Sequence, residues 1–335
     1  MFVARWDLDK TYLRTEFDTL GALVRTAIER PDHKRTVPGA AELMRQLGAA
    51  GAAIHILSGS PEQLRSRIVQ KLRLDAVDFA SLTLKPNLQN LLRLRFRALR
   101  GQMGYKLPAL LRRRCELERQ REPSGELSRE VLLGDDAEAD ALVYSLYADV
   151  CERRVDDSAL VAILRAADVY PDDIADTLRF ASYVERGPVV ERILIHLDRQ
   201  SSPSRFDAFG SRVVPFYNYL QAAFVLHEDG RLPATAVLAV ARDLVLHYHF
   251  GADALRRCYA DLQRRGHAYG RACETLPRAW AEQSSTGPLG RVAELRDLVH
   301  WVETARDAEP RAQQLRPCSL DYELLVRAER KRPRR

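Results

Sequence analysis

Asp7 and Asp9 sit two positions apart, directly after the short apolar stretch Phe2 to Trp6. In an extended strand, side chains two apart share one face, so these carboxylates would crowd each other. Like charges at that distance need a cation or a proton to coexist. Hard carboxylate oxygens suit magnesium. With a metal present, Asp7 could attack a phosphorus atom while Asp9 moves the proton. A solvated acidic turn capping a helix uses the same residues, since Asp and Thr are common caps.

Two further stretches repeat this pattern. The apolar run Ala52 to Leu57 reads as a buried parallel strand and leads into Ser58-Gly59-Ser60-Pro61, with Glu62 to Leu72 helical beyond. A strand, a small-residue loop and a helix start make an anion site from free backbone N–H groups. An N-capped helix with Pro61 in its first turn fits the same residues. Val131-Leu132-Leu133 reads as another strand and delivers Gly134-Asp135-Asp136, followed by Asp140. In an open parallel sheet the C-terminal strand ends line one edge, where ligands bind. Three strands ending in DLD, SGS and GDD would bring their loops together there.

The rest of the chain supplies the elements that must hold these ends. Helical patterning covers Phe17 to Ala27, Ala40 to Leu47 and Leu107 to Arg114. Leu82 to Leu84 reads as a strand, and Gly101 and Gly104 as a break ahead of Lys106. Val155 to Val184 is helical with a break at Tyr170-Pro171. Arg192 to Leu197 reads as a late strand and Pro215 to Leu226 as a helix. Beyond Gly230 the patterning is all helical: Thr235 to Phe250, Ala252 to Arg265, and Val292 to Ala305 with Trp301 on its apolar face. The tail 327–335 is mostly Arg and Lys and is expected to be disordered.

With 335 residues, 46% hydrophobic and 29% charged, the chain has the composition of a globular protein with a sizeable core. No apolar run reaches the roughly 18–20 residues that span a bilayer, and the candidate strand near Met1 leaves no room for a signal peptide. A cytoplasmic location is expected. The five cysteines are scattered without a CxxC pair, which fits reduced, mostly buried thiols and gives no zinc signature. Net charge is +6, and the stretch from Lys85 to Glu122 holds eleven Lys or Arg against three Glu. That basic stretch suits an anionic substrate or surface, or it is a solvated helix face. His247 and His249 lie two apart on a helix, cannot share a face, and are discounted as a metal pair.

In order, DLDKT at 7–11, Ser58 of SGSP, Lys106 and GDDAEAD at 134–140 resemble the four motifs of the haloacid dehalogenase superfamily of aspartate-nucleophile phosphatases. VPGAAELMRQL, SGSPEQL, LTLKP and GDDAEADALVY narrow the resemblance to the catalytic domain of actin-patch-type phosphatidate phosphatases and their bacterial relatives. RILIHLDRQ and FYNYLQAAFVLHEDG look like that family's final strand and helix. The resemblance covers roughly residues 1–230, with a helical insertion at about 152–188. It implies an α/β, Rossmann-like core with a central parallel sheet. Residues 231–326 would be an added helical region.

The resemblance also implies roles. Asp7 would be the nucleophile that forms an aspartyl-phosphate, and Asp9 the acid and then the base. Ser58, Gly59 and Thr11 would hold phosphoryl oxygens, and Lys106 would neutralise them. Magnesium would sit on Asp7, the Asp9 backbone carbonyl and Asp135, with Asp140 in support. Asp136 stands where the family has serine and could join the metal or only its surroundings. Asp9 should have a raised pKa, and the neighbouring Lys10 should point away from it. The expected substrate is phosphatidate or another anionic phosphate ester, with peripheral contact to an anionic membrane. Nucleic acid is not an expected substrate. The alternative is a non-catalytic scaffold on the same fold that recognises anionic lipid, RNA or a protein.

Overall fold

Six short stretches pair side by side into one sheet: β1 (Phe2–Asp7), β2 (Ala52–Pro61), β3 (Ser81–Lys85), β4 (Arg129–Asp135), β5 (Val190–His196) and β6 (Val213–Phe216). Every pairing is parallel and the order is β3-β2-β1-β4-β5-β6. The chain is an α/β protein with a Rossmann-like core, seen in a computed structural model that describes residues 1–13, 35–85, 99–121, 125–284, 292–305 and 319–331. The central strands are buried because helices cover both faces, and their side chains are apolar apart from a few charged residues such as Arg5 and Glu130. From β1 the chain first builds outward through β2 and β3, then returns to add β4, β5 and β6 on the other side. That reversal opens a crevice at the C-terminal ends of β1 and β4.

One face carries α1 (Ala40–Ala49), α2 (Arg65–Leu74), α7 (Tyr219–Glu228), α8 (Ala234–Tyr248), α9 (Ala252–Arg264), α10 (Arg271–Ser284) and α11 (Ala293–Thr304). The opposite face carries α3 (Leu99–Arg119), α4 (Asp140–Cys151), α5 (Asp157–Ala166), α6 (Pro171–Tyr183) and α12 (Tyr322–Arg330). Helices α5 and α6 occupy the stretch 152–188, between α4 and β5. Asp156 caps α5 by accepting from Ala159 N, and Pro171 opens α6, where its missing N–H costs nothing. The segments on either side of residue 230 share one apolar core, in which Leu232, Val237 and Leu295 pack with Leu133 and Leu194. No helix among the described residues is long and apolar enough to cross a membrane.

Several local expectations are corrected. Ser58-Gly59-Ser60-Pro61 continues strand β2 rather than forming a loop, and a 3-10 turn at Glu62–Leu64 precedes α2. Gly101 and Gly104 do not break a helix, because α3 runs unbroken from Leu99 to Arg119. A Cβ on Gly104 would come within 2.7 Å of Asp173 Oδ2 on α6, so this glycine serves close helix packing. Val213–Phe216 is a strand where a helix start was expected, and α10 was not foreseen. Residues 327–330 are the last turn of α12 rather than tail, and Arg330 pairs with Asp168 at 2.8 Å. The helix expected over Phe17 to Ala27 and the Arg-rich segment 86–98 lie outside the described residues.

Candidate active site

Strands β1, β2 and β4 are neighbours, and each ends in polar side chains. Asp7 closes β1, Ser58 and Ser60 lie near the end of β2, and Asp135 closes β4. Helix α3 brings Lys106 up to them. Its ammonium lies 2.9 Å from Asp7 Oδ1 and 2.7 Å from Glu138 Oε2, and it also donates to Asp140 Oδ1. Lys106 is almost wholly buried, as are Asp7, Asp135 and Asp140. The other Asp7 oxygen, Oδ2, is buried with no hydrogen-bond partner among the described residues.

The framework around these groups is tightly built. Asp135 Oδ1 accepts from Ala137 N at 2.6 Å and Glu138 N at 3.0 Å, which folds the 135–139 turn back on itself. Asp140 Oδ2 accepts from Asp135 N at 3.2 Å. Gly134 is required there, because a Cβ would lie 2.6 Å from that of Asp140. Gln102, one turn before Lys106, accepts from Ala139 N at 2.7 Å, and Tyr105 donates to Ser58 O at 2.9 Å. Residues i and i+4 share a helix face, so Gln102 and Lys106 both reach the 135–140 segment from α3. Among the described residues, nothing beyond its chain neighbours lies within 4 Å of where a Cβ on Gly59 would be.

Charge is out of balance here. Asp7, Asp135, Glu138 and Asp140 surround Lys106, the one ammonium they share among the described residues. Burial pushes the Asp7 carboxyl well above its usual range; Lys106 pulls it down, and Asp140, Glu138 and Asp135 add to the rise. Asp135 and Asp140 are raised for the same main reason, burial. Burial works against the charge of Lys106, but Asp140, Asp7 and Glu138 hold it above its ordinary value.

Asp9 differs in kind. Ser58 Oγ and Ser60 Oγ each donate to its Oδ2 at 3.0 Å. Its carboxyl is raised, chiefly by burial and then by Glu138, while the two serines and Lys106 pull it down. A raised Asp9 agrees with the expectation. Lys10 makes no ion pair with Asp9 among the described residues. It sits in a left-handed turn at φ 61° that bonds its N–H to Leu13 O and its carbonyl to His196 Nδ1.

The structure thus brings together Asp7, Asp9, Ser58, Lys106, Asp135 and Asp140, with Gly59 beside them. Two assignments are corrected. Thr11 is fully buried and its hydroxyl points to Asp135 Oδ2 at 3.4 Å, so it supports an aspartate rather than presenting a phosphate contact. Asp136 turns away: its two oxygens accept from Arg199 N at 2.8 Å and Ser201 N at 3.1 Å, tying down the loop after β5. Ser60, Glu138, Tyr105 and Gln102 were missed. Ser60 is two residues from Ser58, a same-face spacing once β2 is known to extend that far. Glu138 lies inside the GDDAEAD motif itself.

Among the described residues, Asp7, Glu138 and Asp140 offer carboxylate oxygens all within 4.8 Å of one another, close enough to share a cation. Compared with family models, curated proteins and solved structures, the chain matches none.

Proposed function

We propose that the chain is a magnesium-dependent phosphomonoesterase of the haloacid dehalogenase type. The observation that carries this reading is Asp7, with one oxygen on Lys106 and the other buried without a hydrogen-bond partner among the described residues. An unsatisfied buried polar atom costs on the order of 1–3 kcal/mol, a cost that a cation or a phosphorus atom reaching this oxygen would relieve. The donor set fits magnesium as well, being hard oxygens with more negative charge than one lysine neutralises.

Asp7 and Asp135, supported by Asp140, would hold the ion, whose charge would stabilise the oxygens of the transferring phosphoryl group. The chain's own residues then carry the reaction. An Asp7 oxygen attacks phosphorus, the bond from phosphorus to the alkoxide breaks, and protonated Asp9 gives its proton to the departing oxygen. Asp9, now a carboxylate, takes a proton from water as that water attacks the aspartyl-phosphate. Orthophosphate leaves and Asp7 is restored. Lys106 and Ser58 offset charge and position the oxygens, and the space beside Gly59 admits the ester. An anionic substrate, phosphatidate or a soluble monoester, suits the basic 85–122 stretch. Sedimentation with phosphatidate vesicles at low and high salt separates these two.

The test of the reading is phosphate release from a small generic monoester in magnesium. Release should stop on chelation and fall by about 10⁴-fold or more in Asp7→Asn. Turnover at the wild-type rate in that variant overturns the assignment.

A further inference from the structure

An ammonium has three N–H donors. In Lys106 all three face carboxylates: Asp7, Asp140 and Glu138. A phosphoryl oxygen can reach this lysine only if one of the three gives way.

The three are not equally placed. The Asp7 and Asp140 side chains are 2% and 1% exposed, whereas Glu138 is 23% exposed. Asp7 is fixed at the end of β1, and Asp140 is held by Asp135 N and by the close approach of Gly134. The Glu138 backbone is anchored through its N–H to Asp135 Oδ1, but its side chain reaches Lys106 from the solvent side of the turn. It can therefore swing outward without disturbing the turn that carries Asp135. Lys85, at the end of β3, is a second cation whose charge Glu138 feels, so the displaced carboxylate is not left without compensation.

We propose that Glu138 holds, in the resting protein, the place on Lys106 that an oxygen of the substrate's phosphoryl group takes on binding. The inference rests on the phosphatase reading. Glu138 is a substrate stand-in rather than a participant in bond making. It accepts the third N–H of Lys106 while the site is empty, and it sets a threshold that only an anion able to replace it can pass. Neutral analogues and weak anions would leave it in place. A phosphate monoester, with its higher charge, would displace it. Removing the carboxylate should therefore strengthen anion binding, whereas loss of an ordinary binding residue would weaken it.

The experiment titrates wild type, Glu138→Gln and Glu138→Ala with inorganic phosphate by calorimetry in saturating magnesium. Magnesium affinity is measured separately, and thermal unfolding checks that each variant is folded. The expected result is phosphate binding about tenfold tighter in both variants, with a matching fall in KM. Magnesium affinity should change less than threefold. Phosphate affinity that is unchanged or weaker overturns the proposal, and so does a tenfold loss of magnesium affinity, which would make Glu138 a metal ligand. Phosphate binding to none of the three proteins overturns the phosphatase reading itself, and this inference falls with it.

Discussion

Strands β1 and β4 carry two buried charge clusters, one built on Arg5 and Glu130 and the other on Asp7 and Asp135. In the first, Glu130 accepts from Arg5 Nε at 2.7 Å, Arg5 Nη2 at 2.8 Å, Arg114 Nη1 at 3.0 Å and the Tyr147 hydroxyl at 2.9 Å. Arg114 also pairs with Glu118 at 2.7 Å. Two guanidiniums thus meet two carboxylates, and both Glu130 oxygens are satisfied. In the second, Lys106 meets three carboxylates, Asp7, Glu138 and Asp140, and one Asp7 oxygen has no hydrogen-bond partner among the described residues. Burial is alike in both. The completeness of the pairing differs, and the incomplete cluster is the one that the proposed phosphatase reading uses.

The acidity of the carboxyls follows the same division. Burial alone would raise Glu130, yet Arg5 and Arg114 and the Tyr147 hydroxyl hold it below its ordinary value. Burial raises Asp7, Asp135 and Asp140, and the pull of Lys106 does not bring any of them back to its ordinary value.

The sharpest way to break the comparison is Glu130→Gln. It leaves two buried guanidiniums poorly compensated and should cost about 3–5 kcal/mol of stability, measured by urea unfolding. Activity per folded molecule should be unchanged. The sign of the pH dependence follows from the depressed Glu130. Its contribution is full above the unfolded value near ~4.3 and is lost as pH falls through the lower folded value. Wild type should therefore lose more stability than Glu130→Gln below about pH 4. Parallel acid curves for the two proteins would remove Glu130 from the account.

The second cluster should answer magnesium instead. Magnesium at about 100 times its dissociation constant should raise wild-type stability by about 2.7 kcal/mol. Asp135→Asn should lose most of that gain while remaining folded, since the amide oxygen can still accept from Ala137 N and Glu138 N. The smallest expected effect sharpens the contrast further. Without magnesium, Asp135→Asn should be more stable than wild type by about 1 kcal/mol, because it removes one uncompensated charge. If thermal unfolding shows it less stable in the absence of metal, the carboxylates are not in surplus.

Much of this site was legible in the sequence because strand-end carboxylates are costly, and parallel strands bring their ends to one edge. Asp7, Asp9, Ser58, Lys106, Asp135 and Asp140 could be named on those grounds together with the family resemblance. The misassigned residues depended on facts that spacing does not carry. Asp135 and Asp136 are adjacent where a strand ends, and successive side chains there diverge. Only the path of the 199–201 loop, far along the chain, shows which way Asp136 turns. Gly104 looked like a helix breaker because its packing partner, Asp173, is 69 positions away in sequence. Strand β6 was hidden because its four residues run straight into the apolar pattern of α7. Glu138 lay within the motif, but only its distance to Lys106 gives it a role.

The most direct test of the central claim is to trap the covalent intermediate. Wild type is mixed with a phosphorus-labelled monoester in magnesium, quenched in acid within one turnover, and mapped by mass spectrometry. The account predicts a phosphoryl group on Asp7, absent from Asp7→Asn. Turnover in wild type with no label on Asp7, or with label on another residue, would contradict it.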